Sequence, residues 1–187
     1  MVAKTVNGCC YLPWIAALSD ARVLVVRRFP LNVLSSWKEL GHGGDPTELA
    51  HLAAVARTRF SLDIDHDAMT QLERQAFTLG VLGGVVHAAS VEHPDWVTVR
   101  HDDLCINPVE GFRTLASSLG LELSDASRRY LLESDRDGTA YRTQRSTAEV
   151  PRRWRTRFDA REIDVVGEVL DRFPPEAGWR DWFAGAP

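Results

Sequence analysis

One short segment near the start of the chain restricts the possible folds more than any other. Residues 21–30 read ARVLVVRRFP, and residues 31–37 read LNVLSSW. The apolar run over 22–26 is rich in β-branched side chains, which is typical of a buried strand in a parallel sheet. Pro30 favours the first turn of a helix, where its missing N–H is not needed. The segment therefore predicts a strand that leads directly into a helix, as in α/β folds.

The junction between this strand and this helix has the features of an anion-binding corner. Arg27 and Arg28 follow the predicted strand, at the carboxyl edge of the sheet where open α/β folds keep their ligand crevices. An arginine fork binds a phosphate through two charge-assisted hydrogen bonds, and the amides at the helix start add to the same field. Ser36 lies eight residues after Arg28, and its side chain leans back toward the helix start. These residues predict a phosphate site, whereas the alternative is a solvated pair of edge charges beside a surface serine.

Length and composition are those of one globular domain over residues 1–187. The chain is 44% hydrophobic and 26% charged, and its 187 residues allow one hydrophobic core. The net charge of −4 argues against a nucleic-acid partner held by many phosphate contacts. No apolar run approaches the ~20 residues that a membrane span needs, so we expect no membrane partner. The three cysteines include the neighbours Cys9 and Cys10, which rarely pair, and we therefore predict a reduced, cytoplasmic location.

Hydrophobic periodicity predicts the other elements of the chain. A second strand is expected over 96–100, and residues 2–5 have a short strand pattern. Helices are expected over the following ranges: 11–18, 30–40, 46–59, 67–89, 109–119, 124–133, 150–157 and 159–173. Residues 135–149 are predicted to form a flexible loop. Strands joined by helices must pair in parallel, so the expected fold is α/β with a narrow sheet that exposes an apolar edge.

Three stretches of the sequence together resemble the sulfotransferase family. The first is Arg28-Phe29-Pro30 with Ser36, which is similar to the segment that holds the 3′-phosphate of 3′-phosphoadenosine-5′-phosphosulfate. The second is VTVRHDDLCINP over 97–108, followed by a helix that ends at Leu119-Gly120-Leu121. The third is RRWRTRF over 152–158, which is similar to a tryptophan-containing basic segment of the family. The stretches occur in the family's order and span most of the chain.

The resemblance implies an incomplete three-layer parallel sheet of the P-loop nucleotide-binding type, with a helix-rich C-terminal half. Sulfotransferases normally begin with a strand, a phosphate loop that contains lysine and serine or threonine, and a helix. Residues 41–44 and 80–84 are rich in glycine, but neither stretch has the Lys-Ser or Lys-Thr pair of that loop. They are interpreted as a helix-ending loop and a closely packed helix. We therefore expect residues 1–187 to be an N-terminally truncated sulfotransferase-like domain.

The activity that the resemblance implies is sulfuryl transfer. The donor is 3′-phosphoadenosine-5′-phosphosulfate, the acceptor is a hydroxyl or amine of a small molecule or glycan, and no metal takes part. The resemblance assigns Arg28 and Ser36 to the 3′-phosphate, and Arg145, in the predicted loop, is the candidate to close over the nucleotide. Lys4 is the candidate catalytic residue, because the family places a lysine near the transferred sulfuryl group. Val6 stands where many members have a histidine base, so the base is unassigned.

Other polar residues near these motifs have two interpretations each. His42 is a candidate base on the acceptor side, but an exposed loop histidine is the favoured interpretation. Asp102 and Asp103 form a carboxylate pair after the second strand, a pattern that catalytic residues can also show. We expect them to be structural, capping the turn and holding Arg100 or a neighbouring helix start.

The basic segment and the aromatic residues are interpreted mainly as structural. Arg153, Arg157 and Arg161 would share one solvated face if the segment that contains them were helical. The six tryptophans are expected to be packing residues.

Two alternatives to a sulfotransferase are kept. In the first, the chain is a non-catalytic remnant that acts through a partner, or through self-association, across its open sheet edge. In the second, it is another phosphate-loop enzyme, such as a small-molecule kinase. The spacing from Arg28 to Ser36 and the turn after the second strand favour the sulfotransferase.

Overall fold

The computed structural model describes residues 4–5, 8–134 and 149–179. Two strands and eight α-helices occur within these residues, together with three short 3₁₀ segments. In chain order the helices and strands are α1 (Leu12–Ala17), β1 (Leu24–Arg27), α2 (Pro30–Leu40), α3 (Pro46–Phe60), α4 (Gln71–Glu92), β2 (Val97–Arg100), α5 (His101–Ile106), α6 (Pro108–Ser118), α7 (Asp125–Ser134) and α8 (Ala160–Asp171). The 3₁₀ segments are Cys9–Tyr11, Val150–Thr156 and Pro175–Ala177.

The two strands pair in parallel, with Val25 opposite Thr98 and Arg27 opposite Arg100. A parallel pair needs a long crossover connection, which α2, α3 and α4 provide. The α/β class and the narrow parallel sheet expected from the sequence are therefore confirmed for the described residues. β1 ends at Arg27 rather than at Val26, so Arg27 belongs to the sheet instead of following it.

Helix α4 is the centre of the larger hydrophobic core. It packs against α2, α3, α8 and the 3₁₀ segment Pro175–Ala177. In three places an aromatic ring packs directly onto a glycine of α4: Phe173 on Gly80, Trp179 on Gly83 and Phe60 on Gly84. Because glycine has no β-carbon, the rings come closer to the helix backbone than any other residue would allow. The prediction that residues 80–84 form a closely packed helix is confirmed.

A smaller apolar cluster lies between the sheet and the carboxyl end of α4, with Val25, Ala89 and Trp96 as its buried members. On the opposite face of β1, Leu24 is 38% exposed and Val26 is 51% exposed. β1 is therefore buried on one face only. The sequence predicted an exposed apolar edge of the sheet, whereas the exposed apolar side chains Leu24 and Val26 lie on the other face of β1.

Side-chain oxygens cap three of the longer helices from the residue before the first turn: Asp45 at α3, Thr70 at α4 and Asp159 at α8. Thr70 and Glu73 form a reciprocal capping box. The box explains why α4 begins at Gln71 and not at Asp67, where the sequence pattern placed its start. Hydrogen bonds from the hydroxyl and then the amide of Thr70 lower the pKa of Glu73.

Four other expectations from the sequence need correction or lie outside the described residues. β2 leads into the short helix α5, where a turn was expected. Residues 150–156 form a 3₁₀ helix and not an α-helix; its three-residue period places Pro151 and Trp154, both buried, on one side. Lys4 and Thr5 are not part of a strand, and residues 135–148 of the loop predicted over 135–149 lie outside the described residues.

None of the helices in the described parts of the chain is long and apolar enough to cross a membrane.

Candidate anion-binding site

The carboxyl ends of both strands and the amino end of α2 meet at one edge of the sheet. Arg28 is the residue between β1 and Phe29, the N-cap of α2, and its side chain is partly buried. Phe29 has no side-chain oxygen, so α2 differs from α3, α4 and α8, which such oxygens cap. The helix dipole and the guanidinium of Arg28 both favour negative charge at this helix start, and the carboxylate of Asp102 already supplies one such charge at the Phe29 amide.

Asp102 connects the start of α2 to the end of β2. Its side chain is 1% exposed, and its Oδ2 accepts a hydrogen bond of 2.9 Å from the amide of Phe29. Its Oδ1 accepts a hydrogen bond of 3.2 Å from the side-chain amide of Asn32. The expectation that Asp102 holds a neighbouring helix start is therefore confirmed, whereas Asp103 is exposed.

Asn32 extends this connection to the 3₁₀ segment Val150–Thr156. Its Nδ2 donates a second hydrogen bond, of 2.8 Å, to the carbonyl oxygen of Pro151. Asn32 is 1% exposed, so these bonds form away from water, where an unmade bond is costly. Three segments that are distant in sequence thus hold the corner in one geometry.

Ser36 lies almost two turns into α2, on the same side of the helix as Asn32. It is partly buried, whereas its neighbour Ser35 is 8% exposed. Helical side chains lean toward the amino end, so the Ser36 hydroxyl is directed back along the face that leads to the start of α2. Arg28 and Ser36 therefore belong to one strand–helix unit.

The strand register brings Arg27 and Arg100 together at the same edge of the sheet. They are register partners, and both side chains are partly buried. Nη1 of Arg27 lies 2.9 Å from Nδ1 of His87 on α4. Burial and then the positive charge of Arg100 lower the pKa of Arg27 to about 10. At neutral pH this edge therefore has two neighbouring positive charges.

The bond between Arg27 and His87 determines which nitrogen of the histidine holds the proton. A guanidinium can only donate, so Nδ1 of His87 accepts, and a neutral ring then holds its proton on Nε2. Gly178 packs against the other side of this ring: a β-carbon there would lie 2.5 Å from Nε2, and its φ of 71° favours glycine. The segment after α8 thus holds His87 against Arg27.

His101 and Cys105 lie one helical turn apart on α5, close to the same edge. The sulfur of Cys105 is 3.6 Å from Nδ1 and 3.8 Å from Nε2 of His101. Because the sulfur is almost equally distant from both ring nitrogens, it is not aligned with either lone pair. This contact therefore does not resemble the thiol–imidazole pair of a cysteine nucleophile.

None of the described contacts places the other residues predicted for the site beside Arg28 and the start of α2. Lys4 is exposed and precedes the 3₁₀ segment Cys9–Tyr11. Arg145 lies outside the described residues. His42 has an exposed side chain, and its backbone is held because its carbonyl oxygen accepts a hydrogen bond of 2.6 Å from Gln75. The favoured interpretation of His42 as an exposed loop residue agrees with this position.

The basic segment does not form the single helical face that its spacing predicted. Arg157 follows the end of the 3₁₀ segment, and Arg161 lies in α8, so Arg153, Arg157 and Arg161 are not on one helix. Arg157 is paired with Glu39 of α2 at 3.0 Å. This pairing gives Arg157 a structural role in docking the segment onto α2.

The described tryptophans differ in how far they are buried. The buried ones, as predicted, are Trp96, Trp154 and Trp179. Trp14 is 65% exposed, so its interpretation as a packing residue is wrong. Trp37 is partly buried, and Trp182 lies outside the described residues.

Reasoning from sequence missed the grouping of Arg27, Arg100 and His87. The alternation of strand residues could have placed Arg27 on the same face as Val25. The pairing of Arg27 with Arg100 depends on strand register, which no local pattern in the sequence indicates.

The described residues contain no group of three or more histidine, cysteine, aspartate or glutamate side chains that could hold a metal ion. Comparison with known protein families, with curated proteins and with solved structures returned no match to this chain.

Proposed function

We propose that Arg28, the amino end of α2 and Ser36 bind the 3′-phosphate of 3′-phosphoadenosine-5′-phosphosulfate, and that the protein is a sulfotransferase. The observation that supports this is the position of Arg28. It lies at the carboxyl edge of a parallel sheet and directly before a helix that carries Ser36 on a face leading back to its start. One strand–helix unit thus carries a positive charge and a hydroxyl, which supports the binding of one phosphate beside it.

Each part of the corner has its own role in this proposal. The Arg28 fork binds two phosphate oxygens, and the Ser36 hydroxyl donates a hydrogen bond to the same group. Asp102 does not contact the ligand; it is a positioning residue that holds the Phe29 amide and so fixes the start of α2. The proposed fold is the P-loop nucleotide-binding type, of which β1 and β2 are the described strands.

The bound nucleotide supplies an activated sulfuryl group, which passes to a hydroxyl or amine of a small molecule or glycan. We propose that Lys4 neutralises charge near the transferred group and that Arg145 closes over the nucleotide. The role of Lys4 requires its exposed side chain to approach the bound ligand. A base that takes the acceptor's proton is not assigned.

The test is the thermal stability of the purified chain with 3′-phosphoadenosine-5′-phosphate. A ligand that binds the folded state at 100 times its dissociation constant stabilises it by about 2.7 kcal/mol, which raises the melting temperature measurably. We expect this rise for the wild type and its loss in the Arg28→Ala, Ser36→Ala variant. Adenosine 5′-phosphate, which lacks the 3′-phosphate, should give little rise.

Arg22→Ala is the matched control, because Arg22 is an exposed arginine near the opposite end of β1. This variant should respond to the nucleotide like the wild type. An unresponsive wild type, or an equal response in the Arg28→Ala, Ser36→Ala variant, would contradict the proposal.

A second candidate function is association through the sheet, which the exposure of Leu24 and Val26 favours. Exposed apolar strand surface is a common site of protein contact. If copies of the chain associate there, sedimentation velocity should show a wild-type dimer and a Val26→Lys monomer. A wild type that is monomeric at all concentrations would exclude self-association through this surface.

A further inference from the structure

Helix α1 and the residues at its two ends carry apolar side chains on two sides. Leu12 and Ala16 pack inward against the smaller apolar cluster. The outer side carries four apolar side chains with exposed fractions of 40–67%: Tyr11, Trp14, Ile15 and Leu18. Spacings of three, four and seven residues place these four on one helix face, which we call the α1 stripe. A helix that is apolar on both sides is typically covered on both sides.

The size of the α1 stripe is that of a functional surface. A fully covered tyrosine or tryptophan buries about 150–250 Å². Tyr11 is 66% exposed and Trp14 is 65% exposed, so the whole stripe leaves about 400 Å² of apolar surface open. This area matches the largest apolar patch of a typical monomer, and such patches are often sites of protein contact.

Charged side chains of opposite sign lie at the two ends of the α1 stripe. Arg59 of α3 lines a shallow groove together with Cys10 and Tyr11, at the amino end of the stripe. Burial raises the pKa of Cys10, and the nearby charge of Arg59 opposes this rise. Asp20 lines a second groove together with Ala17, at the carboxyl end of the stripe. The stripe is therefore positive at one end and negative at the other.

The charges near the stripe are available to a partner. Within the described parts of the chain, neither Arg59 nor Asp20 has an oppositely charged side chain as its partner. Asp95 lines the same groove as Asp20 and adds to the negative end. Arg22 also lines this groove, but its guanidinium lies against Gly120 at the end of α6, where a β-carbon would be 2.5 Å from Nη1.

A surface with an apolar centre and opposite charges at its ends is complementary to a second copy of itself. A two-fold axis through the centre of the stripe packs the two helices antiparallel, and each copy uses the same patch. The Trp14 side chains of both copies then meet at the centre. Arg59 of each copy faces Asp20 of the other copy, whereas a parallel arrangement would place like charges together.

We propose that the α1 stripe is the contact surface of a weak, two-fold symmetric dimer of this chain. Two stripes bury about 800 Å² in total, which is below the ~1,200 Å² of stable interfaces, so the dissociation constant is on the order of 100 μM. At about 1 μM the chain is then monomeric. The dimer goes beyond the nucleotide corner, because it uses neither Arg28 nor Ser36, and it does not use the exposed face of β1.

Sedimentation velocity of the purified chain from about 5 μM to about 1 mM tests the dimer. We expect the wild type to change from monomer to dimer over this range and Trp14→Asp to remain a monomer. Val91→Asp is the matched control and should dimerise like the wild type, because Val91 is a 68% exposed apolar residue outside the stripe. A wild type that is monomeric throughout, or a Trp14→Asp variant that still dimerises, overturns the proposal.

Val26→Lys distinguishes this dimer from association through the sheet. We expect this variant to dimerise like the wild type. If Val26→Lys is monomeric while Trp14→Asp dimerises, the contact lies on β1 and not on α1.

Charge reversal tests the antiparallel arrangement. Arg59→Asp and Asp20→Arg should each weaken dimerisation at least about fivefold at low salt, because each places like charges together at two symmetric contacts. The double variant Arg59→Asp, Asp20→Arg should regain most of the wild-type affinity. A double variant that associates no better than the single variants overturns the arrangement.

A measurement on the wild type does not depend on the folding of any variant. The methyl resonances of Ile15 and Leu18 should shift as the protein concentration rises, while those of Val91 stay constant. Constant resonances at Ile15 and Leu18 contradict the proposal.

Discussion

Asp102 shows how a single buried carboxylate can determine where a helix begins in a distant part of the chain. Its two oxygens accept from the amide of Phe29 and from the side chain of Asn32. The two donors belong to the N-cap and to the first turn of α2, so the carboxylate fixes where that helix begins relative to β2. Without it, each donor would remain in a buried environment with no equivalent partner from water. The position of Arg28, directly before this turn, depends on the same contacts.

The substitution Asp102→Ala should lower the free energy of unfolding by about 2–4 kcal/mol, because it leaves buried donors without their acceptor. Urea denaturation followed by far-ultraviolet circular dichroism measures this loss. Asp103→Ala is the matched control: that carboxylate is exposed, and its loss should change stability by less than about 0.5 kcal/mol. Equal effects of the two substitutions would contradict the role given to Asp102.

Helix α4 illustrates why an element can need residues that weaken it locally. Glycine disfavours a helix interior by about 1 kcal/mol relative to alanine. In α4 the glycines nevertheless allow Phe173, Trp179 and Phe60 to pack against the backbone. The packing contribution exceeds the cost in helix propensity, because each of these rings buries a large apolar surface.

The substitution Gly84→Ala should therefore destabilise the protein by about 1–3 kcal/mol, in spite of the better helix propensity of alanine. A β-carbon at Gly84 would lie 2.8 Å from the ring of Phe60 and 3.2 Å from the β-carbon of Ala177. Gly167→Ala in α8 is the control, since no heavy atom lies within 4 Å of the added carbon. Thermal unfolding should show a gain of up to about 1 kcal/mol for Gly167→Ala. The packing argument fails if both substitutions stabilise.

The segment that follows α8 packs against α4 and connects distant parts of the described structure. Trp179 is 3% exposed, and its Nε1 donates a hydrogen bond of 3.0 Å to the carbonyl oxygen of Gly80. The adjacent Gly178 holds His87, which in turn contacts Arg27. The C-terminal segment thus connects the large core around α4 with the charged edge of the sheet.

Replacing Trp179 by alanine should lower the free energy of unfolding by about 3–5 kcal/mol, because it removes a large buried ring and its hydrogen bond. Trp14→Ala is the comparison within the same residue type. Since Trp14 is 65% exposed, its loss should change stability by less than about 0.5 kcal/mol. Guanidinium denaturation measures the free energy of unfolding of both variants. Similar losses of stability in the two variants would contradict the packing role given to Trp179.

Local physical chemistry was enough to predict most of the elements. Pro30 and Gly41 mark the ends of α2 where the structure has them, because each acts on its own backbone. The start of α4 was placed too early, since the capping box of Thr70 competes successfully with Asp67. The α-helix predicted over 150–157 became a 3₁₀ helix, in which two buried side chains share one side.

The candidate site also combines local features, which the sequence indicates, with long-range contacts, which it does not. Sequence patterns could predict that Arg28 and Ser36 lie within one strand–helix unit, because the geometry of that unit is local; their role in binding stays a prediction. They could not predict that Asp102 would bind the amide of Phe29, 73 residues away in sequence, or that Arg100 would stand beside Arg27. Those contacts depend on strand register and on how the crossover helices pack, which are properties of many residues together. The local sequence therefore determines the strand–helix unit that carries Arg28 and Ser36, whereas the contacts that position this unit and the pairing of Arg27 with Arg100 arise from long-range packing.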